Sequence, residues 1–383
     1  MLKTTMPKYY KIILNIARSL AVPCFNFLIA IIGVKYLGKN NWGDFIQILL
    51  WIYFVAFIAN FGNKDFLLRE FSKSPASLDR SFFLNLISRS LLLSLSFILL
   101  LFFPLKTALL SILLVLLLFI YQSLESLVIY NQKFFTQLVS EIVGFIVIIS
   151  VIFFTNEVNS DILILSYCLA FILKIAIVLP ILKLNFNTIE FKFSLSQFQL
   201  TLPFFLIGLS GWLSSKIDLY LVNIILPKSE LAEYQLLITA FLLLRSLAAL
   251  IIYPFTKHIY RLQRKTIKKI NRILFIASAP LVIVGTFIIW FIFEKIIFLN
   301  VSVNLYIFGA LSSLPYYFFI IDIFLFYKHK KENKVMYLNF SAAIFNFILA
   351  ILLIPKYGIT GALLGVMFTQ FVVLFIYKIK LLK

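Results

Sequence analysis

Ionisable side chains interrupt long apolar runs of this sequence at Arg18, Arg89, Lys174, Lys216 and Arg245, and at Glu125, Glu141, Asp218 and Asp322. In hydrocarbon each such group costs about 2.5–3.5 kcal/mol on insertion scales, so each needs a reason to be there. At about 1.5 Å of helical rise per residue, Lys216, Asp218 and Arg245 fall near the middle of their runs. Arg18, Arg89, Lys174 and Glu141 fall about two turns from one end. Glu125 and Asp322 fall nearer still to that end, where they are expected to reach water. Guanidinium forks bind phosphate bidentately and ammonium groups act as point charges, so a set of deep cations makes a site for an anionic ligand. The candidate cavity-lining residues are Lys216, Arg245, Asp218, Arg18, Arg89 and Lys174. A second role stays open for each. Arg18, Arg89 and Lys174 are long enough to snorkel to headgroups. Asp218 can pair with Arg245 on the next helix, whereas Lys216 and Asp218, two apart, share no helix face. Asp218 and Glu141 are the candidates for carrying a coupling ion, H+ or Na+.

Other chemistry lacks its residues. Cys24 and Cys168 lie singly in apolar runs, with no spacing for a disulfide or a metal. His258 and His329 lie in basic loops, so a histidine metal site is not expected. There is no GxSxG, P-loop, HExxH or dinucleotide fingerprint. No catalytic residue, metal or cofactor is therefore expected, and any pumping has to draw on an ion or substrate gradient.

The elements that position these charges follow from composition. Of 383 residues, 62% are apolar and only 13% are charged, about half the share of roughly 25% in a globular protein. A soluble surface cannot be covered with so few polar groups, so the bilayer is the fitting solvent. A hydrocarbon crossing takes about 20 apolar residues in a helix, and the chain divides into about twelve such runs. They cover 12–34, 42–61, 82–103, 107–128, 134–154, 162–182, 200–226, 231–255, 273–293, 303–327, 335–354 and 359–377. Short turns separate them, such as Gly38-Lys39-Asn40-Asn41 and Pro355-Lys356-Tyr357-Gly358. The first run is too long for a signal-peptide core and reads as a retained helix. The fold class is thus all-α and polytopic.

The net charge of +20 could indicate nucleic acid, but the basic residues flank apolar runs, as the positive-inside rule requires. Most fall in alternate loops, including Lys64 to Arg80, Lys257 to Arg272 and Lys328 to Lys334, while few, such as Lys106 and Lys228, fall in the others. Both termini are expected in the cytoplasm. The loop Lys257–Arg272 reads as a topological anchor that attracts anionic lipid headgroups. A polar linker, 184–199, separates an N-terminal set of six helices, 1–183, from a C-terminal set, 200–383. The start of the second run, Trp42-Gly43-Asp44-Phe45, is echoed half a chain later by Leu231-Ala232-Glu233-Tyr234. Two parallel six-helix repeats place a binding site between them near midplane.

Three segments resemble the polysaccharide-export, Wzx-type flippases of the multidrug/oligosaccharidyl-lipid/polysaccharide (MOP) exporter superfamily. Tyr36-Leu37-Gly38 with Trp42-Gly43-Asp44-Phe45, followed by Phe61-Gly62 and Leu68-Arg69-Glu70, is similar to its first turn. Pro203 through Lys216-Ile217-Asp218 is similar to its seventh helix. Leu338-Asn339, Asn346 and Leu353-Ile354-Pro355-Lys356-Tyr357-Gly358-Ile359-Thr360-Gly361-Ala362 is similar to its last two helices. Trp42 and Leu363 depart from the commoner tyrosine and alanine. The resemblance implies a V-shaped pair of six-helix lobes in a bacterial cytoplasmic (inner) membrane. It also implies a cargo of oligosaccharide repeat units of O-antigen, capsule or similar polysaccharide, carried on polyprenyl pyrophosphate. The implied partners are this lipid-linked oligosaccharide, membrane lipids, a polysaccharide polymerase and a chain-length regulator, with no nucleic acid. The rival readings are an ion-coupled drug or metabolite exporter of the same superfamily and a membrane polymerase.

Overall fold

The computed structural model describes residues 8–155, 158–186, 193–252, 264–329 and 331–382. Lys3, the middle of the linker (187–192) and the first part of the basic loop (257–263) lie outside the described residues. Among the described residues every regular element is helical. The runs are rich in Ile, Val and Phe, which favour strands in water. In hydrocarbon, a helix satisfies all its backbone donors and acceptors within one segment, and that requirement overrides propensity.

The helices are α1 (Lys8–Asn60), α2 (Asn63–Lys73), α3 (Leu78–Ser90), α4 (Leu99–Phe102), α5 (Leu105–Tyr130), α6 (Phe134–Phe154), α7 (Ser160–Leu182), α8 (Leu195–Ile225), α9 (Lys228–Ile252), α10 (Arg264–Phe291), α11 (Val303–Lys328) and α12 (Glu332–Leu382). Between α3 and α4 the chain tightens into a 3-10 helix, Leu91–Ile98. The hydroxyls of Ser90, Ser94 and Ser96 each donate to the carbonyl three residues back, at Ile87, Leu91 and Leu93. Among the described residues, ten helical segments are long and apolar enough to cross a membrane.

Two of those ten fold back on themselves. α1 breaks at Gly38 (φ 79°, ψ 162°) and α12 at Gly358 (φ 56°, ψ −139°), backbone conformations open to glycine and strained for other residues. Phe25 stacks on Phe145 and Tyr36 meets Phe153 edge-on. Beyond Gly38 the chain returns, and Tyr53 lines the same cavity as Phe145. In α12, Val373 and Tyr377 pack into one core with Val335, Leu338 and Ala342 of its own first limb. The turns expected over several residues therefore shrink to one glycine each. Helix continues through Trp42 and Pro355, because a single positive-φ residue reverses the chain without a loop.

The chain forms two compact units: one of Met1–Leu37 with Asp44–Gly208, the other of Gly38–Gly43 with Leu209–Lys383. In the first, α5 packs against α7 and α2, and α6 lies along α7. Buried Ser111, Ser123, Ser126, Ser140 and Ser166 return their hydroxyls to their own helix carbonyls. Such small side chains let helix backbones approach closely. In the second, α11 packs against α9, α10 and α12.

Candidate functional site

The first unit contains a cavity of about 460 Å³ lined by both limbs of α1 and by α2, α5, α6 and α7. Charges organise it. Arg18 on α1 donates from Nη1 to Glu125 Oε1 on α5 at 3.1 Å and to Gln137 Oε1 on α6 at 2.8 Å. Lys64 on α2 reaches the same Glu125 oxygen at 3.0 Å. Deeper in, Lys174 Nζ on α7 lies 2.7 Å from Glu141 Oε2 on α6. The other Glu141 oxygen accepts from the Tyr121 hydroxyl at 2.6 Å. The Lys174 ammonium also lies over the rings of Phe171 (4.6 Å) and Tyr121 (5.5 Å). Such cation–π contacts gain strength where water is excluded. Asn26, Tyr53, Gln122 and Tyr167 complete a lining of amides and phenols. A smaller cavity of about 260 Å³ shares Lys64, Gln122 and Glu125 and extends to Asn63 and Phe204.

Arg18 and Lys174 are buried and turn inward to carboxylates, so neither snorkels. Arg89 is buried too, yet it does not line the cavity. Its Nε donates to Asn85 Oδ1 (2.8 Å), Nη1 to the Asn60 carbonyl (3.3 Å) and Nη2 to Ser123 Oγ (3.0 Å). Asn60 ends α1, so Arg89 satisfies a helix-terminal carbonyl that has no partner of its own. It acts as a staple between α1, α3 and α5.

In the second unit Asp218 on α8 accepts a hydrogen bond from Tyr234 on α9. Arg245 on α9 donates to Ser312 Oγ on α11 at 2.6 Å, and its Nε has no partner. The alternative ion pair of Asp218 with Arg245 is not made. Each found a neutral hydroxyl on a neighbouring helix instead. Lys216 is half-buried, without an ion pair or hydrogen bond among the described residues.

Of the two acidic residues expected to reach water, Glu125 keeps 24% of its side chain exposed and Asp322 is covered. Glu125 bridges Arg18 and Lys64 at the cavity wall. Asp322 is buried and pairs with Lys378 at 2.9 Å. Sequence reasoning also passed over Tyr121 and Gln137, because a neutral polar residue in an apolar run carries no cost signal comparable to a charge. The echoed segments do meet in the structure. Lys39 pairs with Glu233 at 2.7 Å and Trp42 Nε1 donates to Gln235 at 3.2 Å. Among the described residues no group of three His, Cys, Asp or Glu side chains could hold a metal ion.

No family model matches the sequence, and no curated protein is significantly similar to it. Solved structures do match. The lipid II flippase MurJ in an inward closed conformation aligns over 97% of this chain and 88% of its own, at 15% identity and TM-score 0.70. An inward-facing multidrug resistance MATE family transporter of the MOP superfamily aligns over 96% and 98%, at 12% identity and TM-score 0.66. The eukaryotic MATE transporter AtDTX14 aligns over 98% and 95%, at 17% identity and TM-score 0.62. A multi-pass helical chain with charged groups inside its spans, aligned nearly end to end with these proteins, shares their fold.

Proposed function

We propose that this chain is a flippase for lipid-linked oligosaccharide, moving repeat units on polyprenyl pyrophosphate from the cytoplasmic to the outer leaflet by alternating access. One observation carries the reading. Lys216 and Arg245 stand in membrane-spanning helices with no carboxylate at ion-pair distance among the described residues. A cation in a spanning helix without an ion-paired carboxylate is costly, and an anionic ligand that supplies the charge offsets that cost. A pyrophosphate is such a ligand. In the first unit, Glu125 and Glu141 already counter most of the charge of Arg18, Lys64 and Lys174. Amides, carboxylates and phenols there fit sugar hydroxyls. The fold shared with a lipid II flippase agrees with a lipid-linked cargo. Of the two candidate coupling groups, Asp218 is the better placed to exchange a proton or Na+. Glu141 is held by the Lys174 ammonium, and Asp218 only by a phenol.

The fold is shared also with a multidrug resistance MATE family transporter, which makes a small-molecule exporter the second reading. A cationic drug calls for buried carboxylates without counter-charges. Among the described carboxylates deep in the spans, Asp218 alone lacks an ion-paired cation. The test is a deletion strain of the source cell, with and without the gene restored. Surface polysaccharide is read on gels and polyprenyl-linked repeat units by mass spectrometry. Loss of polymer with repeat units trapped on the cytoplasmic side is the expected result. Normal polymer with no trapped intermediate would favour the exporter.

A further inference from the structure

Away from these polar interiors, the second unit carries a groove of about 480 Å³ lined by Asn271, Arg272 and Phe275 of α10, Phe318 of α11, and Leu374 and Lys378 of α12. Its two ends differ in chemistry. Arg272 is the last basic residue before an apolar stretch of α10 that begins at Ile273, and Lys378 follows the apolar end of α12. These two cations and Asn271 form the polar end. One turn deeper, Phe275 and Phe318 stand with ring centroids 4.7 Å apart beside Leu374. Phe275 is 59% exposed, so the apolar end opens toward hydrocarbon.

The charges at the polar end do not cancel. Lys378 donates to Asp322 at 2.9 Å and to the Phe318 carbonyl at 3.0 Å, using two of its three protons. Arg272 is exposed and has no ion-pair or hydrogen-bond partner among the described residues. The groove therefore offers a free guanidinium, a spare ammonium proton and an amide at the level of the headgroups. Below them runs an aromatic trough. A groove polar at one end, apolar at the other and net positive matches one molecule abundant in such a membrane. Basic pockets between spanning helices suit anionic lipid headgroups in general.

We propose that this groove binds an anionic glycerophospholipid, with its phosphodiester on Arg272 and Lys378 and an acyl chain along Phe275, Phe318 and Leu374. The lipid bridges α10, α11 and the second limb of α12. This inference is independent of the cargo, because none of the six residues belongs to the polar interiors described above.

The test uses the purified chain in neutral detergent, titrated with phosphatidylglycerol or phosphatidylcholine and read by native mass spectrometry. Phosphatidylglycerol is expected to bind more tightly. Arg272→Gln should weaken it about fivefold, the worth of one cation near a membrane surface, and Arg272→Glu by more. Lys133→Gln, which removes an exposed cation in the other unit, should change nothing. Arg272 makes no contact that folding depends on, and unchanged elution of lipid-free protein checks this. Equal affinity for the two lipids, or equal losses in Arg272→Gln and Lys133→Gln, overturns the proposal. So does displacement of the lipid by a polyprenyl phosphate, which would make the groove a cargo-tail site. Dimers that form in place of lipid binding would assign it to a second copy.

Discussion

Lys174 and Glu141, 33 residues apart on adjacent helices, form an ion pair of 2.7 Å with both side chains at least nine-tenths buried. The pair replaces two isolated charges in a membrane interior with one neutral unit. Removing one partner leaves the other uncompensated, which costs about 3–5 kcal/mol. Lys174→Met should therefore lower the unfolding temperature in detergent sharply. The double variant Lys174→Met, Glu141→Leu should recover most of the loss, since an apolar pair of similar volume is often close to neutral. Additive losses in the double variant would show that the two residues do not act as a pair.

Arg89 separates a structural charge from a ligand-binding one. Its donors serve Asn85, the Asn60 carbonyl and Ser123, none of them charged. Arg89→Met strands those acceptors, at about 1–3 kcal/mol for each one left unsatisfied. Protein yield and unfolding temperature should fall. Transport per folded molecule should stay within about twofold of wild type, well short of the tenfold that 1.4 kcal/mol would bring. A stable Arg89→Met protein that no longer transports would return Arg89 to the ligand site.

The contrast between Arg89 and Lys174 shows where the sequence stops informing. Apolar runs of crossing length identify helices because the bilayer leaves the backbone no other way to satisfy its polar groups. The depth of a charge along a run is legible for the same reason. The direction a charge faces is not, because it depends on helix rotation and on partners far along the chain. Asp322 reads as a residue near water until Lys378, 56 residues later, is seen to cover it. Glu125 gains two cations from α1 and α2 that no spacing rule connects to it. The contact of Lys39 with Glu233 was not legible, because an echo of one segment in another suggests equivalent positions in two repeats and not a contact between them.

Gly43 and Gly144 are both packed too tightly for a side chain, against different obstacles. A Cβ on Gly43 would overlap the Lys228 backbone carbonyl, which cannot move without its helix. A Cβ on Gly144 would overlap the far end of the Lys174 side chain, which can shift at the expense of its pair with Glu141. Overpacking costs about 1–3 kcal/mol. Gly43→Ala should be the more damaging in thermal unfolding, at the top of that range or beyond. Gly144→Ala should cost less, and its effect should shrink in the background of Lys174→Met. Equal losses from both glycines, or no rescue, would contradict this packing.

The two cations with no carboxylate at ion-pair distance among the described residues bear most directly on function. If the cargo is anionic, Lys216 and Arg245 bind it, and neutralising them removes charge-assisted bonds of about 1.5–3 kcal/mol each. Lys216→Gln and Arg245→Gln should each slow transport about ten- to a hundredfold. Lys216→Gln should not lower stability, because Lys216 has no ion-pair or hydrogen-bond partner among the described residues, whereas Arg245→Gln strands Ser312 Oγ at about 1–3 kcal/mol. Arg245→Lys keeps the charge but loses the fork, so it should fall between wild type and Arg245→Gln. If the cargo is a cationic drug, the same neutralisations should leave transport unchanged or raise it, and Asp218→Asn should abolish it. Proteoliposome assays with a labelled polyprenyl-pyrophosphate oligosaccharide and with an organic cation, run on the same variants, decide between them. A rate that holds within twofold in Lys216→Gln, Arg245→Gln would remove the basis for a pyrophosphate cargo.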